Sequence, residues 1–357
     1  MFINMFPKQK ILIRNAFVSL TILILFITSC VSSGNHFGII FSANLDGNQD
    51  LYRVGSQNFQ LLERLTFTPL DSEQDLKITK HGEQILFSVL GTNLGWNTYI
   101  MDLKAKSTIE LNDSAFGWRS IRPITWSFDK SWAVIRETQT GDIYIASPDK
   151  KNVKELEIPH IFDFSIITDV NYSPDGKQLV YTEYHNPIPP LSTKSSFLFD
   201  FETKLVIPLV DDETATCDEP RWSPNGKQIL LYCDLSTDGI SENNHIFLFD
   251  VLDNDTVTIK EVASFPCGRS PGAKFAWSPD GTQFIAAYCE MNDVPRSLFI
   301  FNSDGSVNRE LTPLGVDMNK LYISEMDWSP DGQKILYIAG KDENSLHIYM
   351  MNNDGSD

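Results

Sequence analysis

The chain has 357 residues, 42% of them hydrophobic and 11% aromatic, with a formal charge of −18. So acidic a surface repels phosphate backbones and excludes the electrostatic footprint of a nucleic-acid binder. It favours a soluble protein with basic or neutral partners.

Residues 1–29 read as a targeting segment that stands outside the fold. Lys8, Lys10 and Arg14 give it a positive start, and Ala16 to Ile27 form an apolar run short for a spanning helix. The run ends Ile27-Thr28-Ser29-Cys30 and resembles a bacterial lipobox, in which small residues precede a Cys that is diacylated and becomes the first mature residue. The resemblance implies a lipoprotein whose signal peptide is 1–29, with the lipidated Cys30 and a short tether over 30–36. Acyl chains contribute about 0.8 kcal/mol per buried methylene, so an anchor with more than one chain holds stably. Val31 is not Asp, so nothing resembles an inner-membrane retention signal, and the analogy implies the outer membrane or cell surface. Without the leader, 29 basic residues become 26 against 47 acidic ones, or −21.

From residue 37 to 357 the chain is an array. The first unit has Phe37-Gly38-Ile39-Ile40-Phe41, Asp50 to Val54 and Leu61 to Thr66, each an apolar strand signal. Then a motif recurs. Two copies are degenerate, Ile78-Thr79-Lys80-His81-Gly82 and Trp126-Ser127-Phe128-Asp129-Lys130. Two are looser, Tyr172-Ser173-Pro174-Asp175-Gly176 and Trp222-Ser223-Pro224-Asn225-Gly226, and two are full, Trp277 to Gly281 and Trp328 to Gly332. Their ends at 82, 130, 176, 226, 281 and 332 give a period near fifty.

Each copy lies between two apolar runs. Pro presets φ at the first corner, and Asp or Asn followed by Gly tolerates positive φ, so the motif is a hairpin signal. A third run follows, such as Ile246 to Asp250, and then a weaker fourth, such as Val257 to Val262. Four short antiparallel strands per unit predict an all-β fold, a β-propeller whose blades cover one another's apolar faces. The first unit lacks the Trp-containing strand, and the last stops after its Ile348-to-Met351 strand. Seven second-strand signals favour seven blades over six.

The W-S-P-D-G hairpins, the Ile348-to-Gly355 stretch and the Leu65-Thr66 and Leu311-Thr312 endings resemble the TolB-like, or PD40, repeats of WD40-like β-propellers. The resemblance covers nearly all the chain after residue 36. It implies the architecture and no particular chemistry, and no amino-terminal TolB-type α/β domain is visible.

Export permits disulfides. Pairing about Asn225-Gly226 sets Cys217 near Cys233 at one end of a hairpin, and the next unit places Cys267 near Cys289, so the bonds expected are Cys217–Cys233 and Cys267–Cys289. No C-x-x-C pair or neighbouring His points to metal. Acid clusters at Asp71, Glu73 and Asp75, at Asp211 to Glu213, and at Asp218 and Glu219 read as loop tips before first strands. The longer loops, His185 to Lys194 and Asp234 to Asn244, are where a specific surface is expected.

Gly268-Arg269-Ser270-Pro271-Gly272 spells G-x-S-x-G, but Pro271 removes the N–H an oxyanion hole needs and a strand follows in place of a helix. Asn44 to Asp50 and Asn352 to Asp357 lack the spacing of a calcium loop and read as turns. The six His residues make no metal pair. The repeat tryptophans are expected to pack between blades. A site assembled across the central channel would leave no mark in sequence spacing. No α/β-hydrolase domain follows the last unit, which argues against prolyl-oligopeptidase-type peptidases.

The expectation is therefore an exported, lipid-anchored propeller at the bacterial envelope that binds protein or an envelope polymer, without cofactor and without catalysis. The alternative is a propeller enzyme, of lyase or glycan hydrolase type, with an acidic or metal site on the loop face or in the channel.

Overall fold

A computed structural model describes residues 25–28 and 37–356, except 45–48, 56–61, 68–71, 80–82, 91–94, 113–119, 130, 189–190, 213–214, 236–243, 253–256, 266–273, 291–293, 312–321 and 341–346. Its strands form seven blades. Blade 1 holds β1 (Leu25–Thr28), β2 (Phe37–Asn44), β3 (Gln49–Gly55) and β4 (Leu62–Arg64). Blade 2 holds β5 (Ser72–Ile78), β6 (Gln84–Leu90), β7 (Trp96–Asp102) and β8 (Ser107–Glu110). Blade 3 holds β9 (Ile121–Trp126), β10 (Ala133–Glu137), β11 (Ile143–Ala146) and β12 (Val153–Glu155). In blade 4 are β13 (Ile166–Tyr172), β14 (Gln178–Ile188), β15 (Leu191–Asp200) and β16 (Val206–Pro208). Blade 5 has β17 (Thr216–Trp222), β18 (Gln228–Asp234), β19 (Asn244–Val251) and β20 (Val257–Phe265). Blade 6 has β21 (Lys274–Trp277), β22 (Gln283–Glu290), β23 (Val294–Asn302) and β24 (Val307–Leu311). Blade 7 has three strands, β25 (Tyr322–Trp328), β26 (Lys334–Gly340) and β27 (His347–Asn352).

The expected all-β propeller is what forms, with seven blades. One detail departs from the sequence reading. The first blade has an innermost strand, and it comes from residues 25–28, inside the segment assigned to the leader.

The W-S-P-D-G hairpin works through its side chains as well as its backbone. In blade 6 the Ser278 hydroxyl donates to Asp280 (2.7 Å) while accepting the Gln283 N–H (3.0 Å), and Asp280 also accepts the Thr282 N–H (3.0 Å). The same serine-centred network recurs at Ser173, Ser223 and Ser329. Positive φ falls on the glycine alone, as at Gly176 (+73°), where a Cβ would come within 2.3 Å of Phe128 in the preceding blade's turn. The turns thus stack around one face of the ring.

The tryptophans tie blade to blade, as expected. The indole N–H of Trp126 donates to the Lys77 carbonyl (3.1 Å), that of Trp277 to Arg221 (3.2 Å) and that of Trp328 to Ala276 (3.1 Å). Each acceptor is the residue just before the tryptophan position of the previous blade. Trp222 instead receives its tie through the backbone, its N–H donating to Asn171 Oδ1 (2.9 Å). Trp277→Phe, which keeps the ring and loses the bond, should cost about 1 kcal/mol, and Trp277→Ala about 3–5 kcal/mol, in urea denaturation.

Apolar burial follows the same plan. Between blades 6 and 7, Ile285, Leu298 and Ile300 pack on Met326, Trp328 and Tyr337. Between blades 4 and 5, Val180 and Leu198 pack on Cys217, Trp222 and Ile229. No blade closes its own core, which is why the period of the sequence is the period of the fold.

Candidate functional site in the central channel

The first strand of each blade lines the ring, and its residues alternate. The tryptophan position and the one two before it are buried between blades, as with Leu76, Ile124, Val170, Phe275 and Met326. The intervening positions, one and three before the tryptophan, face the axis and are half-buried. Seven of those described are charged: Lys77 on β5, Asp169 on β13, Glu219 and Arg221 on β17, Lys274 on β21, and Glu325 and Asp327 on β25. A single period-two strand therefore sends apolar groups into the blade and charges into the channel.

These charges pair from blade to blade. Arg221 donates to Asp169 (2.5 Å), and Lys274 donates to Glu219 (2.7 Å) and lies 3.9 Å from Glu325. On the rim, Lys194 pairs with Asp218. The charge of Lys77 acts on both Asp169 and Glu325, two and five blades away in sequence order, as a shared axis requires. Among the described residues the channel carries three bases and four acids, nearly balanced within a protein of charge −18.

Burial and pairing push these groups apart. Burial works to raise the Asp169 carboxyl, but Arg221 and Lys77 outweigh it and hold it below the ordinary range. Glu219 is likewise held down, by Lys274 and Arg221 against its burial. Glu325 goes the other way: burial raises it more than Lys274 lowers it. Asp327 is raised to about 7 by burial and by the charge of Glu325, despite the Trp328 N–H it accepts at 2.8 Å.

The backbone here is irregular in a repeated way. β5, β9, β13, β17 and β25 each carry a bulge against their second strand, two to four residues before the tryptophan position. At the bulge of β17, Glu219 takes φ +56°, a conformation of an ordinary residue that gathers at functional sites. Asp218 and Glu219, expected at a loop tip, thus lie within β17, as Glu73 and Asp75 lie within β5.

Of the cysteines, Cys217 and Cys233 are bonded, their Cα atoms 4.1 Å apart and directly paired across β17 and β18. Replacing both by alanine should cost about 2–3 kcal/mol, measured by urea denaturation, since the bond closes a loop with sequence separation 16. Cys30 and Cys267 lie outside the described residues, as do the side chain of Cys289 and the G-x-S-x-G stretch. The Asn352-to-Ser356 stretch is a turn in which Asp354 accepts the Ser356 N–H (2.8 Å).

The described residues contain one Ser–His–carboxylate cluster, at the entry to blade 4. Nδ1 of His160 meets both Ser165 Oγ (3.0 Å) and Glu183 Oε1 (3.4 Å). A catalytic triad needs the two partners on opposite ring nitrogens. Glu183 instead accepts the Ile161 N–H (3.0 Å) and the Phe162 N–H (3.3 Å), so the cluster fastens a loop. Among the described residues no three His, Cys, Asp or Glu side chains are grouped to hold a metal.

No family model matches the chain. A curated relative, the uncharacterized peptidase YuxL of Bacillus subtilis, is 25% identical over 120 residues, 33% of this chain and 17% of that protein. A structure from a study of two prolyl endopeptidases superposes with TM-score 0.64 at 12% identity, over 94% of this chain and 48% of that one. The β-propeller domain of the Trilobed protease from Pyrococcus furiosus gives TM-score 0.54 at 15% identity, over 92% and 95%. TolB from Acinetobacter baumannii also matches, at 17% identity and TM-score 0.47 over 72% and 58%. The prolyl endopeptidase and Trilobed protease likenesses show the fold, a propeller of the kind the repeats imply.

The comparisons correct the expectation of a protein without catalysis. The sequence relative, matched over 120 residues, is named as a peptidase, and the propeller fold is shared with a prolyl endopeptidase structure and the Trilobed protease propeller.

Proposed function

We propose that this chain is the propeller of a peptidase-type enzyme and that its central channel receives polypeptide in extended form. One observation carries the reading: fixed charges of both signs, from five blades, project onto one axis. A channel near electrical balance suits a polar backbone with mixed side chains better than a uniformly charged polymer. The partial likeness to YuxL and to protease propellers supports a peptide. Anisotropy titration of labelled unstructured peptides against the full chain tests it. The charge-conserving pair replacement Asp169→Asn with Arg221→Met should weaken binding about tenfold, or 1.4 kcal/mol; unchanged affinity would overturn the reading.

A second reading has one observation in its favour. Asp327 and Glu219 share the channel with their protonation pushed in opposite directions, the arrangement an acid–base pair requires. Hydrolysis or elimination in the channel would then be lost in Asp327→Asn and Glu219→Gln while peptide affinity persists. Assays on peptide and glycan substrates separate the two.

The leader, the lipobox-like Ile27 to Cys30 and the Cys217–Cys233 bond support export to an oxidising compartment and anchoring through Cys30. Cys30→Ala should move the protein out of the membrane fraction; its retention there would refute the anchor.

A further inference from the structure

The innermost strand of blade 1 lacks both the tryptophan and the S-P-D-G turn that blades 6 and 7 carry. β1 pairs with β2 antiparallel, Leu25 opposite Ile40 through Thr28 opposite Phe37, and lies between β5 and β25 at the closure of the ring. In blade 6 the last such pair before the turn is Trp277 opposite Phe284. Thr28 therefore occupies the place of the tryptophan. The indole that makes the interblade bond at Trp126, Trp277 and Trp328 is not part of a threonine, as it is not of Ile78 on β5 or Tyr172 on β13. The connection that follows, residues 29–36, also lacks the residues whose hydroxyl-centred network pins β13, β17, β21 and β25 to their second strands. Four residues of backbone pairing fix β1 to β2, and the segment that supplies them is the one assigned to a removable leader.

We infer that the inner edge of β2 is an exchangeable strand slot in the channel wall, filled by Leu25–Thr28 in the precursor and open to an extended polypeptide once residues 1–29 are gone. The inference rests on the peptide-channel and leader readings above. Strand addition supplies the affinity that the channel charges alone do not: along Phe37 to Ile40 every second residue turns its N–H and C=O to this edge, the others facing β3, and these groups pair with any extended backbone, whatever its side chains. Apolar neighbours favour an apolar segment, since Ile39, Ile40 and Phe41 on β2 are buried. The precursor is thereby closed to substrate by its own leader.

The test is hydrogen exchange in the full chain, comparing Phe26→Pro with Ile27→Pro against the unsubstituted protein. Proline donates no hydrogen bond, and two in succession remove the donor whichever of the two residues supplies it. Exchange of the alternate Phe37–Ile40 amides that face β1 should quicken at least about tenfold, with the amides facing β3, and β18, protected as before. A synthetic peptide bearing residues 25–29 between lysine pairs should restore protection in the variant and leave the unsubstituted chain unaffected. Unaltered exchange of the β1-facing amides in the variant, or an opened edge that the peptide does not protect, would overturn the slot. If the double variant also loses β18 protection, Thr28→Pro, at the end of the pairing, is read in the same way. Loss of the channel dependence of peptide binding with β2 protection intact strikes only the channel reading. The reverse pattern strikes only the slot.

Discussion

Replacing Lys274 by methionine should destabilise the protein by about 3 kcal/mol at pH 8, and by much less at pH 4. Lys274 is 16% exposed and stands between two carboxylates from neighbouring blades, Glu219 at 2.7 Å and Glu325 at 3.9 Å. Removing one partner of a buried ion pair costs about 3–5 kcal/mol, chiefly because the remaining charge keeps its desolvation penalty. Both carboxylates are 35% exposed to the channel, which places the cost at the lower end. The pH dependence has a definite sign. Burial already raises Glu325, and Lys274 opposes that rise; without the cation, both carboxyls take protons at higher pH. At pH 4 they enter the variant neutral and the penalty falls. Replacing Lys274 and Glu219 together by methionine and leucine should recover part of the loss, because the pair's own desolvation disappears with it. Urea denaturation of the three proteins at both pH values measures each quantity, and a loss of equal size at pH 4 and pH 8 would refute the electrostatic account.

The repeat made the architecture legible, and for a physical reason. Trp277-Ser278-Pro279-Asp280-Gly281 encodes a turn through local hydrogen bonds, so its signal survives without knowledge of any neighbour. The tryptophan ties were legible too, since a large amphipathic ring at a fixed position in every unit must meet the adjoining unit. Glu219, Arg221, Lys274 and Glu325 were not. Each belongs to a different stretch of sequence from its partner, and Asp169 and Arg221 meet across 52 residues. One signal was available: charges one or three places before the tryptophan position, alternating with apolar residues, in five of the units. A period-two strand with charge on one face has to turn that face to water, and in a propeller the first strand's water is the channel. Reading Asp218-Glu219 as a loop tip hid this, because an acidic pair before an apolar run looks like a turn until Pro220 and Trp222 are assigned to the buried face. The strand β1 was invisible for the opposite reason, since an apolar run behind a basic start fits a leader without remainder.

Asp327→Asn should make the protein more stable than the unsubstituted chain at pH 8 and leave it equal at pH 4. Burial, aided by the charge of Glu325, raises the Asp327 carboxyl from its ordinary 3.8 to about 7. A carboxyl raised in the folded state binds its proton more tightly folded than unfolded. Its contribution to stability is full below about pH 4 and drains away as pH climbs through 7, where the folded protein must finally carry the charge. At about 1.4 kcal/mol per pH unit over that interval the loss reaches about 4 kcal/mol, and water in the channel reduces it to about 2 kcal/mol. Asparagine avoids the loss while its Oδ1 still accepts the Trp328 N–H that Asp327 accepts at 2.8 Å. The difference between the two proteins should therefore grow from pH 4 to pH 7 and then stay level, as read by thermal or urea melts across that range. A difference independent of pH would mean that Asp327 stays ionised throughout, and the acid–base reading of the channel would go with it. A peptide bound in the channel excludes that water, so it should raise the Asp327 carboxyl further and take up a proton near pH 7, a transfer calorimetry in two buffers detects directly. If binding moves no proton, the peptide passes the channel without covering Asp327, and the polypeptide path runs along the β2 side of the ring alone.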